Sequence, residues 1–335
     1  MRKLRWGVLG VARIATNKVI PAMQRGSLTE VVAIASRDRR KADAAAKTLG
    51  IQRAYGSYDA LTADSDVEAV YIPLPNHLHV EWATRAAEAG KHVLCEKPIA
   101  LNASEARTLL AVRDRTGRTI QEAFMVRTHP QWLKAQEILR TGRIGELRAM
   151  TGFFSYYNAD PKNIRNITDY GGGALMDVGC YLVATARMMF EREPDRVIAD
   201  VERDPALQTD RLTSVILDFG SGHAIGTCST QLVPYQRMNI LGTRGRIELE
   251  IPFNAPPDRP SVMLVDDGSD LLGAGIERIT FAAIDQYTVQ GDRFARTVRE
   301  RIVPAAPLED AIANMTAIDA LFRSVETRCW EDLAS

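Results

Sequence analysis

The chain has 335 residues, 46% of them hydrophobic and 25% charged, and its 42 basic and 42 acidic side chains cancel to a formal net charge of zero. That length suits two domains rather than one small core. Balanced charge without a Lys/Arg run excludes the electrostatic footprint of a nucleic-acid or membrane-surface binder.

The N-terminal MRKLRWGVLGVARIA combines basic and apolar residues as a signal peptide does. Arg13 breaks the apolar part and a glycine turn precedes it, so a buried strand entering a helix describes it better. No apolar run stands out as long enough to span a bilayer. Cys95, Cys180, Cys228 and Cys329 are widely spaced and form no CxxC pair, which argues against zinc and fits reduced thiols. A soluble, cytoplasmic protein is expected.

Over the first part of the chain, short apolar runs alternate with longer amphipathic ones, the signature of βαβ units and a parallel sheet. Strands are predicted at 4–10, 30–36, 68–74, 92–97 and 119–124. The helical patterns between them stop at Gly50, Gly90 and Gly117. From about residue 146 strand-like segments follow one another without long helices, which predicts a mostly antiparallel sheet. Two helices are expected near the end, over 286–301 and 308–328. The division expected is 1–122 and 123–335.

The first strand runs into G7-V-L-G10-V-A12-R-I-A15. This approximates the dinucleotide fingerprint GxGxxG/A, in which glycine lets backbone approach a pyrophosphate at a helix N-terminus. Gly10, Ala12, Arg13 and Ile14 are the candidate contacts, with Ala12 departing from the middle glycine. At the end of the second strand, Ser36 and Arg37 stand where an acid holds the ribose of NAD. A neutral residue and a guanidinium suit a 2′-phosphate, so NADP is expected rather than NAD; Asp38 fits a helix N-cap. The predicted fold is an α/β Rossmann dinucleotide-binding domain followed by an α+β domain with a large, mostly antiparallel, open-faced sheet.

Three further segments follow predicted strands, where α/β sheets bind ligands. They are PLPNHLH (73–79), CEKP (95–98) and EAFMVRTHP (122–130). Pro73, Asn76, His79, Glu96, Lys97 and Arg127 are therefore cofactor candidates. The lysine of EKP, followed by proline, is placed to perturb a neighbouring acid or polarise a hydroxyl. In GGGALMDVGCYLV (171–183), three glycines precede a predicted helix that sets Asp177 and Tyr181 on one face. Arg127, His129, Asn163 and Arg165 are candidates for binding substrate hydroxyls. The five histidines show no metal-ligand spacing, and no metal is expected.

Together WGVLGVARIA, SRD, PLPNHLH, GKHVLCEKP and GGGALMDVGCY resemble the glucose–fructose oxidoreductase/inositol dehydrogenase (Gfo/Idh/MocA) family over nearly the whole chain. The nearest branches by motif are NADP-dependent aldose dehydrogenases, D-xylose dehydrogenases among them, and dihydrodiol dehydrogenases. The resemblance implies that Tyr181, where many members have histidine, exchanges a proton with a substrate hydroxyl. A free tyrosine has a pKa of about 10, and Lys97 would depress it. Asp177 would position the substrate, and the glycines would press loop and helix against nicotinamide and substrate. The implied reaction moves hydride from a sugar hydroxyl carbon, the C1 of an aldose giving a lactone, to nicotinamide. Alternatives are a trans-dihydrodiol dehydrogenase, an aldose–aldose oxidoreductase with tightly bound NADP, and a non-catalytic NADP-sensing regulator. A homodimer or higher homo-oligomer through the second-domain sheet is also implied.

Overall fold

The computed structural model describes residues 2–304 and 306–333. Six strands form the first sheet: β1 (Leu4–Leu9), β2 (Thr29–Ala35), β3 (Arg53–Tyr55), β4 (Ala69–Ile72), β5 (His92–Cys95) and β6 (Ile120–Glu122). They lie in the order β3-β2-β1-β4-β5-β6, and every neighbouring pair is parallel. β4, AVYI, is buried at all positions, as expected of a strand covered on both faces. The strand order reverses between β1 and β4, which is the switch point where such sheets bind ligands.

The intervening helices are α1 (Ile20–Arg25), α2 (Arg39–Leu49), α3 (Tyr58–Thr62), α4 (His79–Glu88) and α5 (Ala103–Thr116). Their ends follow local chemistry. Asp38 accepts from the Arg40 N–H to cap α2, and Asn102 does the same for α5 through Glu105. Gly50 and Gly117 end α2 and α5 in the left-handed conformation.

The second sheet has nine strands: β7 (Leu147–Tyr157), β8 (Arg196–Arg203), β9 (Asp210–Asp218), β10 (His223–Ser229), β11 (Gln231–Gly242), β12 (Arg246–Leu249), β13 (Ser261–Asp266), β14 (Ile276–Phe281) and β15 (Glu331–Asp332). Their order is β14-β13-β12-β11-β7-β10-β9-β8-β15. Only the β7–β10 pairing is parallel among them. One face carries buried Met150, Phe154, Val215, Leu217, Met238 and Ile240. The helices α6 (Pro130–Arg140) and α7 (Cys180–Phe190) belong to this unit. The other face exposes Ile225, Tyr235 and Tyr157, the last by 69%. One helical stretch among the described residues, Thr168–Phe190, is long and apolar enough to cross a membrane, which the sequence pattern had hidden. It is 89% buried within the protein, as a core helix is.

Two compact units result, Met1–Thr128 with Asp285–Ile312, and His129–Ile284 with Ala313–Ser335. The segment Asp285–Ile312, placed with the second half by the sequence division, thus packs with the first unit. Its helix α8 (Gln286–Glu300) shows why: Phe294 lies 5.0 Å, centroid to centroid, from Trp6. Asp292 accepts from the Leu28 N–H at 2.8 Å, and Arg299 donates to Glu68 at 2.7 Å. The last helix, α9 (Leu308–Thr327), starts in the first unit and continues in the second.

Candidate active site

In the first unit the predicted cofactor residues gather at the carboxyl ends of the parallel strands. Gly10 follows β1 with φ +124°, a conformation L side chains avoid. A Cβ there would stand 3.1 Å from Leu74 and 3.9 Å from the Tyr58 hydroxyl. The helix then begins at Arg13, which is exposed, while Ala12 and Ile14 are half-buried. Its next residues, Ala15–Val19, form a π turn closed by the Ile20 N–H on the Ala15 carbonyl. Such one-turn bulges recur at functional sites.

Ser36 and Arg37 directly follow β2. The Ser36 hydroxyl accepts from the Asp38 N–H at 3.2 Å, and Asp38 itself caps α2. The carboxylate nearest this strand end, that of Asp38, is thus engaged through one oxygen in capping α2. Arg37 is exposed, and its guanidinium hydrogen-bonds the Tyr58 hydroxyl. Burial pushes the Tyr58 pKa up while the Arg37 charge opposes that rise. Tyr58 is held by an edge-on contact with Trp82 at 4.9 Å, and the Arg85 guanidinium lies over that indole at 4.7 Å. Glycine turn, helix start and an anchored guanidinium fit a dinucleotide with a 2′-phosphate.

Other cofactor candidates also make contacts within the fold. His79 is fully buried, with Nδ1 2.8 Å from the Pro98 carbonyl oxygen and Nε2 2.8 Å from that of Leu74. It braces the loop after β4 against the loop after β5. Burial lowers its pKa to about 4, although both carbonyls pull the other way. Glu96 accepts from the Tyr71 hydroxyl at 2.6 Å and from the Lys97 N–H at 3.2 Å, so its carboxylate turns back toward the sheet. Arg127 is ion-paired with Asp310 of the same unit. Pro73 is buried, while Asn76 and Lys97 are half-buried at the ends of β4 and β5.

In the second unit the hydroxyl-binding candidates separate. His129 is buried, and its Nδ1 accepts from the Gln131 N–H to cap α6. Burial holds that ring neutral, with a pKa of about 4. The fold thus gives this substrate candidate a helix-capping role through Nδ1. Asn163, Arg165 and Asp177 do come together. The Asn163 side chain accepts from the Arg165 N–H at 3.1 Å. Arg165 Nε donates to Asp177 Oδ2 at 3.0 Å, and the Tyr156 hydroxyl donates to the same oxygen at 2.5 Å. The Asp177 side chain is only 13% exposed and that of Arg165 41%.

Asp177 lies in a second π turn, Leu175–Gly179, closed by the Cys180 N–H on the Leu175 carbonyl. A π turn winds fewer degrees per residue than an α turn. It therefore keeps Asp177 and Tyr181, four residues apart, on one face. Tyr181 is 6% exposed and wedged between aromatic rings, with Phe154 at 5.4 Å and Phe253 at 5.3 Å. Phe253 stacks in turn on Phe154 at 4.8 Å. These contacts pack the ring on two aromatic neighbours and restrict where its hydroxyl can stand.

The triple glycine answers to this unit's own packing. Gly173 has φ +117°, and a Cβ on it would meet the Asp210 carboxylate at 1.8 Å. A Cβ on Gly172 would meet the Arg165 carbonyl oxygen at 2.5 Å. The close approach expected toward a cofactor is, in the structure, an approach to Arg165 and Asp210. Tyr58, Phe253 and Asp210 were missed in the sequence. No local pattern marked them: apolar strand segments also begin at Glu30, Glu68 and Glu146, so an acid ahead of β9 does not single out Asp210.

A parallel dinucleotide-binding unit joined to an open, mostly antiparallel sheet defines a class of two-unit NAD(P)-dependent oxidoreductases. Residues 4–124 match the model of the GFO_IDH_MocA oxidoreductase family, NAD-binding Rossmann fold, and residues 132–248 match the GFO/IDH/MocA C-terminal domain. The chain belongs to this family, and is an NAD(P)-dependent dehydrogenase. It is 50% identical over 332 residues to an uncharacterized oxidoreductase of Rhizobium meliloti, covering 99% of both chains. It is 38% identical to a D-xylose 1-dehydrogenase (NADP(+)) of Haloferax volcanii, over 97% of this chain and 98% of the relative. Among solved structures, the 3-ketoreductase KijD10 of Actinomadura kijaniata in complex with NADP and TDP-benzene matches with a TM-score of 0.88. That match has 31% identity and covers 96% of this chain and 98% of that one.

Proposed function

We propose that the protein is an NADP-dependent dehydrogenase that oxidises a sugar hydroxyl carbon, the C1 of an aldose, to a lactone. The observation behind this is Tyr181, wedged between Phe154 and Phe253 at the start of α7, with Asp177 four residues before it. Similarity to the Haloferax D-xylose dehydrogenase supports the substrate class. KijD10 has also been solved as variants replacing one lysine and one tyrosine, separated by as many residues as Lys97 and Tyr181. That spacing supports the catalytic pair.

Gly10 and the first helix turn would hold the pyrophosphate, with Arg37, Ser36 and Tyr58 at the 2′-phosphate and Asn76 and Lys97 toward the nicotinamide. When bound, the nicotinamide supplies the hydride acceptor or donor. Tyr181 takes the proton from the substrate hydroxyl, assisted by Lys97, whose ammonium favours the phenolate. Asp177 orients substrate hydroxyls by accepting from them while Arg165 and Tyr156 fix its carboxylate. The same groups return the proton in the reverse direction. A homodimer through the outer face of the nine-stranded sheet fits the exposure of Ile225, Tyr235 and Tyr157; light scattering giving a monomer mass would exclude it.

The test is absorbance at 340 nm with purified protein, NADP or NAD, and a panel of aldoses and diols, with a 3-keto sugar and NADPH for the reverse reaction. Aldose turnover favouring NADP is expected. Turnover of only diols or only the keto sugar would replace the substrate class, and tight NADPH binding without any turnover would favour a sensor.

A further inference from the structure

We propose that Asp210 is the positioning residue of the site: it fixes the π turn that sets where Asp177 and Tyr181 stand. The proposal rests on the catalytic assignment above and adds a group that touches neither substrate nor cofactor. Asp210 opens β9 and is 2% exposed. Its Oδ2 accepts from the Leu175 N–H at 2.7 Å and from the Thr213 hydroxyl at 2.8 Å. Its other oxygen lies against Gly173, where no side chain fits.

Leu175 is the pivot of this arrangement. Its N–H goes to Asp210, and its carbonyl accepts from the Cys180 N–H to close the π turn. Asp177 follows Leu175 by two residues, and Tyr181 directly follows Cys180. A π turn is a rare geometry that persists where its surroundings over-determine it. Asp210 provides that determination from one side. At the far end of the turn, Gly179 lies so close to β10 that a Cβ there would meet the Cys228 sulfur at 2.8 Å. Without the Asp210 anchor the turn is free to relax to an α turn, which rotates Asp177 relative to Tyr181.

The experiment compares Asp210→Ala and Asp210→Asn in the full chain. Asparagine keeps an oxygen for the Leu175 N–H; alanine does not. For D210A, kcat with the best aldose of the panel is expected to fall ten- to hundredfold, with KM changed less and NADPH affinity by fluorescence within twofold. D210N is expected to restore at least a third of wild-type kcat. Hydrogen exchange should show the Leu175 and Cys180 amides losing protection in D210A and keeping it in D210N. Should D210A not fold, Asp210→Ser, too short to reach the Leu175 N–H, takes its place with the same expectations. A folded D210A or D210S with wild-type kcat and unchanged exchange overturns the proposal. So does a kcat loss that only tracks the unfolded fraction. Tyr181→Phe run alongside separates the two claims: full activity there removes the catalytic assignment, while the exchange data still decide on Asp210.

Discussion

Both units begin a functional helix in the same way. Gly10 and Gly173 have φ of +124° and +117°, and each precedes a π turn, Ala15–Val19 in one case and Leu175–Gly179 in the other. The difference lies in what meets the helix start. Among the described residues the first helix has no side-chain cap there, and Arg13 is exposed beside it. In the second, the Asp210 carboxylate already occupies the corresponding place and accepts from Leu175. A helix N-terminus carries partial positive charge and orphan N–H groups. Left open, it suits an external anion such as a pyrophosphate. Filled from within, it offers its side chains instead. One backbone device thus serves binding in the first unit and presentation of Asp177 and Tyr181 in the second.

The largest effect should come from the second region. Tyr181→Phe keeps the ring between Phe154 and Phe253 and removes only the hydroxyl. Loss of a general acid/base predicts a drop in kcat of roughly a thousandfold, with NADPH affinity unchanged because the first unit is untouched. Fluorescence titration beside 340-nm kinetics checks both halves, and a comparable loss of NADPH binding would contradict the division of labour.

The next effect concerns the internal carboxylate. Burial raises the Asp210 pKa to about 6, against the hydrogen bonds from Leu175 and Thr213, the charge of Arg203 and its own backbone contact; Cys228 lies close by. A carboxyl raised above its unfolded value binds more protons in the native state between pH ~4 and ~6. Its contribution to stability is therefore most favourable below that window and falls as pH rises through it. At pH 7 the charged form costs on the order of 2–3 kcal/mol. Asp210→Asn should remove that slope. Its urea stability relative to wild type should grow from pH 4 to 6 and level off above 7. A difference that does not vary with pH would mean that Asp210 is not raised.

Much of this was legible in the sequence because it depends on period and punctuation. The apolar runs of β1, β2, β4, β5 and β6, with glycine stops after α2 and α5, gave the parallel sheet, and the resemblance gave the pairing of EKP with Asp177 and Tyr181. Local pattern was silent elsewhere. β14 has no buried position, so no alternation marked it, and the continuous stretch RMNILGTRGRIELEI hides the turn between β11 and β12. α8 returns to the first unit through Phe294, Asp292 and Arg299, contacts that span more than 200 residues of chain. His79 and His129 were visible by type and loop position, whereas their burial and their bonds within the fold were not. The glycines of 171–173 were recognised as close-approach residues, but their neighbours, Arg165 and Asp210, are set by tertiary packing that no local window contains.

The smallest effects test the open helix start. Arg37→Ala removes a charge-assisted hydrogen-bond donor, and should weaken NADPH by about ten- to hundredfold while changing NADH by less than about threefold. Equal losses for both cofactors would show that Arg37 does not distinguish them. Tyr58→Phe is the finer probe. The ring keeps its contact with Trp82 and only the hydrogen bond to Arg37 is lost. A hydrogen bond to a charged group contributes about 1.5–3 kcal/mol when buried and less at an exposed guanidinium such as that of Arg37, so NADPH should weaken about two- to tenfold, NADH hardly at all, and in the Arg37→Ala background the change should vanish. That last comparison decides the matter: if Tyr58 acts by orienting the guanidinium, removing the guanidinium leaves it nothing to orient.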